Sequence, residues 1–238
     1  MKACLFSTLL ALGLSCSAPL AHSAALVLND LSGNVQFDGW DNLGAVTGFG
    51  FFDVGPGSPA DGNPWPSPMD SFASGSGDGT LQRTAGTHYS ASGSLYSFAG
   101  PSSFRLGDST ALANLATVVF TVANWFGSSP TSDPVLNFNG GSQELDPDST
   151  FTSPFGAVSF GGPVPVTART YQWDLTGLGT EVTEFGIDWT QGSSAGITYL
   201  QLEQSDVFTV ASATVVPEPS AALLALLGLP FALRRRRA

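Results

Sequence analysis

Between residues 24 and 216 the chain never sustains the 3.6-residue apolar period of an amphipathic helix, and this restricts its fold more than any single motif does. Apolar residues instead alternate with polar ones in short runs, closed off by Gly, Pro, Ser, Thr and Asp. Tyr171, Trp173 and Leu175 fall in one phase and Gln172 and Asp174 in the other. Phe185, Ile187 and Trp189 repeat the pattern opposite Glu184, Gly186 and Asp188. Val118, Phe120 and Val122 are in phase within 117–126, while Val119 and Trp125 imply a partly covered second face. The run 198–208 opens with Leu200 and Leu202 opposite Tyr199, Gln201 and Glu203. A period of two means strands whose successive side chains point to opposite faces.

Further strands are expected at 25–29, 35–40, 46–54, 88–98, 104–107, 135–139 and 157–160. Asp38-Gly39, Asp61-Gly62 and Asp78-Gly79 read as turn dipeptides. Residues 55–79, with five prolines, and 140–154 read as irregular. No repeat of fixed period argues for a propeller or solenoid. Short strands separated by turn signals predict one antiparallel β-sandwich domain of jelly-roll type over residues 24–210. Trp173 and Trp189, in phase with aliphatic neighbours, are expected in its core.

Both ends of the chain differ from this body. Met1-Lys2, an apolar run over 5–14 and small residues over 18–25 form an export signal. Ala21-His22-Ser23 fits cleavage after Ser23, with a cut after Ala25 as the alternative. Cys16 is poorly placed for lipidation, because Gly13 stands where lipoproteins usually have leucine. At the other end Pro217, Glu218 and Pro219 precede an apolar run over 220–233, then Arg234, Arg235, Arg236 and Arg237. That run of 14 residues spans roughly 21 Å as a helix. A hydrocarbon core is about 30 Å thick, so the run is short for a permanent span. The arginines can snorkel and stop transfer on the cytoplasmic side. The two prolines keep the tripeptide extended, so the helix can start only after Pro219. The expected organisation is a signal peptide (1–23), the sandwich (24–210), a short linker (211–216) and a sorting signal (217–238) made of the extended tripeptide, a hydrophobic helix and the arginine cluster.

This tail closely resembles the PEP-CTERM signal of Gram-negative bacteria, in which the tripeptide and the arginine cluster bracket a short membrane segment. The resemblance implies processing near Pro217, Glu218 and Pro219 by the membrane protease exosortase, with Arg234 to Arg237 as the cytoplasmic stop. It implies passage through the inner membrane, transient anchoring, and a cell-surface or extracellular destination. The closing pattern 171–178, 185–189 and 199–208 also looks like the last strands of many exported proteins with this tail. That likeness implies a fold and no activity.

Composition then limits the chemistry. Both cysteines lie in the export signal, and the body has no lysine. Its cations are Arg83, Arg105 and Arg169 against 18 carboxylates, a formal charge of −15 for residues 24–216. Nucleic acid is therefore not an expected partner, since counterion release needs clustered Lys and Arg. His88 is the only histidine after the signal, and no Gly-x-Ser-x-Gly elbow accompanies it, so neither a serine triad nor a zinc site is expected. Asp174, Glu181, Glu184 and Asp188 are the strand-borne acids from which a glycosidase pair would be drawn. Glu144, Asp146 and Asp148 alternate in a loop and are the candidate calcium ligands, calcium being the one cofactor considered. Trp65, between Pro64 and Pro66, is the candidate sugar-stacking residue. The leading expectation is a non-enzymatic surface or matrix protein in contact with extracellular polysaccharide. The alternatives are a carbohydrate-binding module and a glycoside-active enzyme.

Overall fold

The computed structural model of the chain describes residues 29–40, 43, 69–70, 77–86, 89–91, 94–96, 100–126, 130–159 and 162–212. The expected strand at 46–54, most of that at 25–29, and both terminal helices lie outside these residues. In chain order the strands are β1 (Val35–Trp40), β2 (Met69–Asp70), β3 (Thr80–Ala85), β4 (Tyr89–Ala91), β5 (Ser94–Tyr96) and β6 (Ser102–Asp108). They continue as β7 (Thr117–Trp125), β8 (Val135–Phe138), β9 (Ser149–Ser159), β10 (Pro163–Asp174), β11 (Phe185–Gln191) and β12 (Gly196–Ser205). The described body is all-β and antiparallel, built as two packed sheets.

The seven-stranded sheet runs β4-β5-β12-β7-β10-β9, and β1 also pairs with β12. β12 therefore has β7 along one side, while the other side is shared by β5 at Gly196–Ile197 and β1 from Leu200 to Ser205. The five-stranded sheet runs β2-β3-β6-β11-β8. The last two strands thus each lie between earlier strands, in opposite sheets. Leu145 makes a lone bridge to Leu136 of β8 before the chain crosses to β9, which pairs with β10.

The expected alternation builds the core between the sheets. Phe120, Val122, Tyr171, Trp173, Ile187, Trp189, Leu200 and Leu202 all belong to one buried cluster. Phe120 lies 4.9 Å from Trp189 and 6.2 Å from Tyr171, ring centroid to centroid. The Trp173 indole donates to the Leu145 carbonyl, 3.0 Å away, which ties the bridge segment to the core. A second cluster lies on the opposite face of β7, around Ala123, Trp125, Val166, Ala168 and Tyr199. There Trp125 stacks on Tyr96 at 5.0 Å, and a Cβ on Gly196 would stand 2.2 Å from the indole. Only glycine admits the ring at that point.

Several expectations need correction. The single strand expected at 88–98 is instead an antiparallel pair, β4 and β5, with Ala91 opposite Ser94. The stretch 140–154 is strand from Ser149 onward. β9 is an edge strand with exposed and half-buried residues, so it needs no apolar face to mark it. A register shift at Val166/Thr167 lets it carry Pro154 at an edge, where proline is tolerated. β2 falls within the stretch read as irregular, and β3 was not expected, because its inward positions are Leu81 and a fully buried Arg83. The final strand stops at Ser205 rather than near Val210. The chain beyond it still packs on the body, where the Gln172 side chain donates to the Thr209 carbonyl and accepts from the Ala211 amide.

Phe120→Ala should cost about 3–5 kcal/mol, because it empties a site between two rings that cannot collapse. Thr152→Ala, on exposed β9, should stay within about 0.5 kcal/mol. Denaturant midpoints of the two variants check both.

Candidate functional site

The densest chemistry among the described residues is an acidic cluster where the two sheets meet. β1 brings Asp38, opposite Leu202 and in phase with buried Trp40. β6 alternates strictly, so Phe104, Leu106 and finally Asp108 face inward. Residues 77–79 cross above β1, with the Gly77 amide donating to the Phe37 carbonyl at 3.2 Å, and Asp78 sits at the crest. Glycine on both sides of Asp78 is a packing requirement. A Cβ on Gly77 would lie 2.2 Å from Asp38 Oδ2, and one on Gly79 2.7 Å.

Asp108 and Asp78 are tied together through Thr110. The Thr110 amide donates to Asp108 Oδ1 at 2.8 Å, and its hydroxyl donates to Asp78 Oδ2 at 2.6 Å. Gln204 of β12 donates to Asp108 Oδ2 while accepting from the Leu112 amide at 3.0 Å. Asp38 is different. It is 0% exposed, and among the described residues neither of its oxygens has a partner in hydrogen-bond geometry. The Gly79 amide, although outside strict hydrogen-bond geometry, favours the ionised form and is the main influence opposing burial.

Burial pushes the Asp38 carboxyl up to about 6, and the facing Asp108 and Asp78 add to the rise. Burial also raises Asp108, aided by Asp78, against the lowering donors Thr110 and Gln204. On the outer face of β12 burial likewise raises Glu203, but there donors surround the group: the Asn29 amide, the Asn29 side chain and Gln201.

The residues singled out from the sequence fall elsewhere. Trp65, His88, Pro217, Glu218, Pro219 and Arg234 to Arg237 lie outside the described residues. Glu144, Asp146 and Asp148 flank Leu145, which bridges to β8, and Asp148 accepts from the Asp174 amide at 2.7 Å. Among the described residues no three His, Cys, Asp or Glu side chains stand at metal-ligand spacing. The Asp174 carboxylate closes a local turn with the amide and hydroxyl of Thr176. Glu181 and Glu184 are exposed, and Asp188 pairs with Arg105 at 2.8 Å and with Asn137 at 3.1 Å. Trp173 and Trp189 are core residues, as expected, and Trp40 and Trp125 are buried too.

The acidic cluster itself was missed. Asp38-Gly39 is not a turn but part of β1, and Asp78-Gly79 owes its glycine to the Asp38 side chain rather than to turn geometry alone. The one available signal was the glycine-rich run Gly75-Ser76-Gly77-Asp78-Gly79.

No family model, no curated protein and no solved structure matches the chain. No helix among the described residues is long and apolar enough to cross a membrane.

The raised Asp38 carboxyl fixes a sign for stability against pH. The folded state holds this proton more tightly than the unfolded chain, so stability is greatest below the ordinary carboxylate range. It falls as pH rises from about 4 to about 6. The loss is up to about 3 kcal/mol. In buffer free of divalent cations, urea midpoints across this range should decline, and Asp38→Asn should flatten the slope and raise the midpoint at neutral pH.

Proposed function

We propose that the chain is an exported, non-enzymatic surface or matrix protein of a Gram-negative bacterium, sorted by its PEP-CTERM tail and released by exosortase. In this reading the sandwich is of jelly-roll type, flanked by a signal helix and a hydrophobic sorting helix. The wiring supports the jelly-roll assignment, since β12 and β11 close the two sheets between earlier strands and Leu145 touches β8 before the chain departs to β9.

The observation that carries the proposal is where the two ends of the body are fastened. Asn29 binds the Glu203 carboxylate through its amide and side chain. Ser32 accepts from the Ser205 hydroxyl and donates to Thr209, and Asn34 binds Asp206 through its amide at 2.8 Å and its side chain. The segment arriving from the export signal and the segment leaving for the sorting tail are therefore pinned together at one corner. Removal of both signals leaves these contacts in place. A body held by its tail presents the opposite end of the sandwich outward, with the acidic surface expected of a soluble exported protein.

A carbohydrate-binding role is the second reading. It is favoured by the outer face of the five-stranded sheet, where Ser103, Arg105, Asn137, Asp188 and Thr190 form a polar patch. A groove of about 210 Å³ lies beside it, lined in part by Arg105, Asn137, Asn139 and Glu184. Glycan-array binding that is lost in Asn137→Ala would support this reading, and no binding to any glycan would remove it.

The intact mass of protein recovered from its own cell surface tests the leading proposal. Expected is a body starting after Ser23 or Ala25 and ending near residues 216–220, with or without a covalent attachment. A mature protein that retains residues 223–233 in a host with exosortase would show the tail to be a plain anchor.

A further inference from the structure

We propose that Asp38, Asp78 and Asp108 take a divalent cation, of the calcium class, at the junction of the two sheets. Three separate elements deliver these carboxylates to one place: β1, the loop 77–79 and the end of β6. Asp38 and Asp108 are buried, and Thr110 links Asp108 to the exposed Asp78 by donating to both.

Asp38 supplies the independent reason. A fully buried carboxylate that has lost its hydration, with only the Gly79 amide nearby and, among the described residues, no donor in hydrogen-bond geometry on either oxygen, is a costly arrangement unless something else fills the place. The chain does not relieve it by sequence. It wraps glycines around the carboxylate at 77 and 79, where no side chain fits, and so holds Asp38 Oδ2 against the loop that carries Asp78. A hard cation would satisfy both Asp38 oxygens and cancel the repulsion among the three acids.

The donor set selects the ion. All the side-chain donors are oxygens, and the body has no cysteine, which disfavours zinc and copper. Three carboxylates offer up to about six oxygens, and calcium accepts 6–8 at flexible spacing, with water completing the shell. The acids do not stand at ligand spacing in the ion-free protein. Asp78 is the group that closes the site, because it is exposed between two glycines and reaches the cluster through its side chain. The site is distinct from the loop of Glu144, Asp146 and Asp148. Affinity should be that of extracellular modules, with Kd about 10⁻⁴–10⁻³ M.

The test is thermal melting of the full chain in mild detergent, in EDTA and in about 10 mM calcium chloride, roughly tenfold above the upper Kd. Calcium should raise the melting temperature of the wild type by about 3–6 °C. Asp78→Asn, an exposed change that does not threaten folding, should abolish the shift. Asp38→Asn should abolish it too while raising the melting temperature in EDTA, which a merely structural acid would not do. Glu144→Gln and Asp148→Asn should keep the full shift. No calcium shift in the wild type, or a shift undiminished in Asp78→Asn, overturns the proposal. So does a shift that Asp148→Asn removes and Asp78→Asn keeps.

Discussion

The structure depends on one strand, β12, being buried on both faces and paired on both edges. Its inner face packs Leu200 and Leu202 into the core between the sheets. Its outer face, Tyr199, Gln201, Glu203 and Ser205, is equally buried although mostly polar. Along its edges it carries β7 for nearly its whole length, and β1 and β5 in turn on the other side. The register with β1 places Asp38 opposite Leu202, and the same strand sends Gln204 across to Asp108. The position of the acidic cluster is thus a consequence of where β12 lies.

A strand covered on both sides has to find partners for every polar group it buries. The outer face does so with a relay: the Tyr199 hydroxyl meets Gln201, Gln201 meets Glu203, and Asn29 closes the chain from the N-terminal side. Beside it the Thr121 and Thr170 hydroxyls bond each other at 2.9 Å, and Gln172 bonds Thr117 at 3.1 Å. Glu203 and Asp38 are both raised by burial, yet their surroundings differ. Glu203 sits among donors that offset part of its desolvation. Asp38 has acids and glycines for neighbours. That contrast separates a carboxylate used to fasten chain ends from one buried among like charges.

Much of the sandwich was legible because its core strands obey the period of two. Tyr171 and Trp173, Phe185 to Trp189, and Phe120 with Val122 each mark an inward face, and each is buried as the alternation implies. What could not be read has physical causes. β9 lies at an edge with little to bury, so its Ser, Thr and Pro looked like loop. β3 hides behind Arg83, a residue whose type argues for exposure but which is fully buried. The outer face of β12 looked solvated because Gln201 and Glu203 are polar, and only the tertiary relay explains their burial. The acidic cluster was illegible for a related reason. Asp38, Asp78 and Asp108 are far apart in sequence, and each Asp-Gly pair has a sufficient local explanation as a turn.

Native-state hydrogen exchange, read by mass spectrometry on overlapping peptides, tests the central role of β12 most directly. The amides of β12 (Gly196–Ser205) and its neighbour β7 should open only with the whole domain, and so exchange slowest. Those of the edge strand β9 should exchange well before them. If peptides covering residues 200–205 exchange as fast as those covering β9, β12 is not what the two sheets are built on, and the account given for the acidic cluster falls with it.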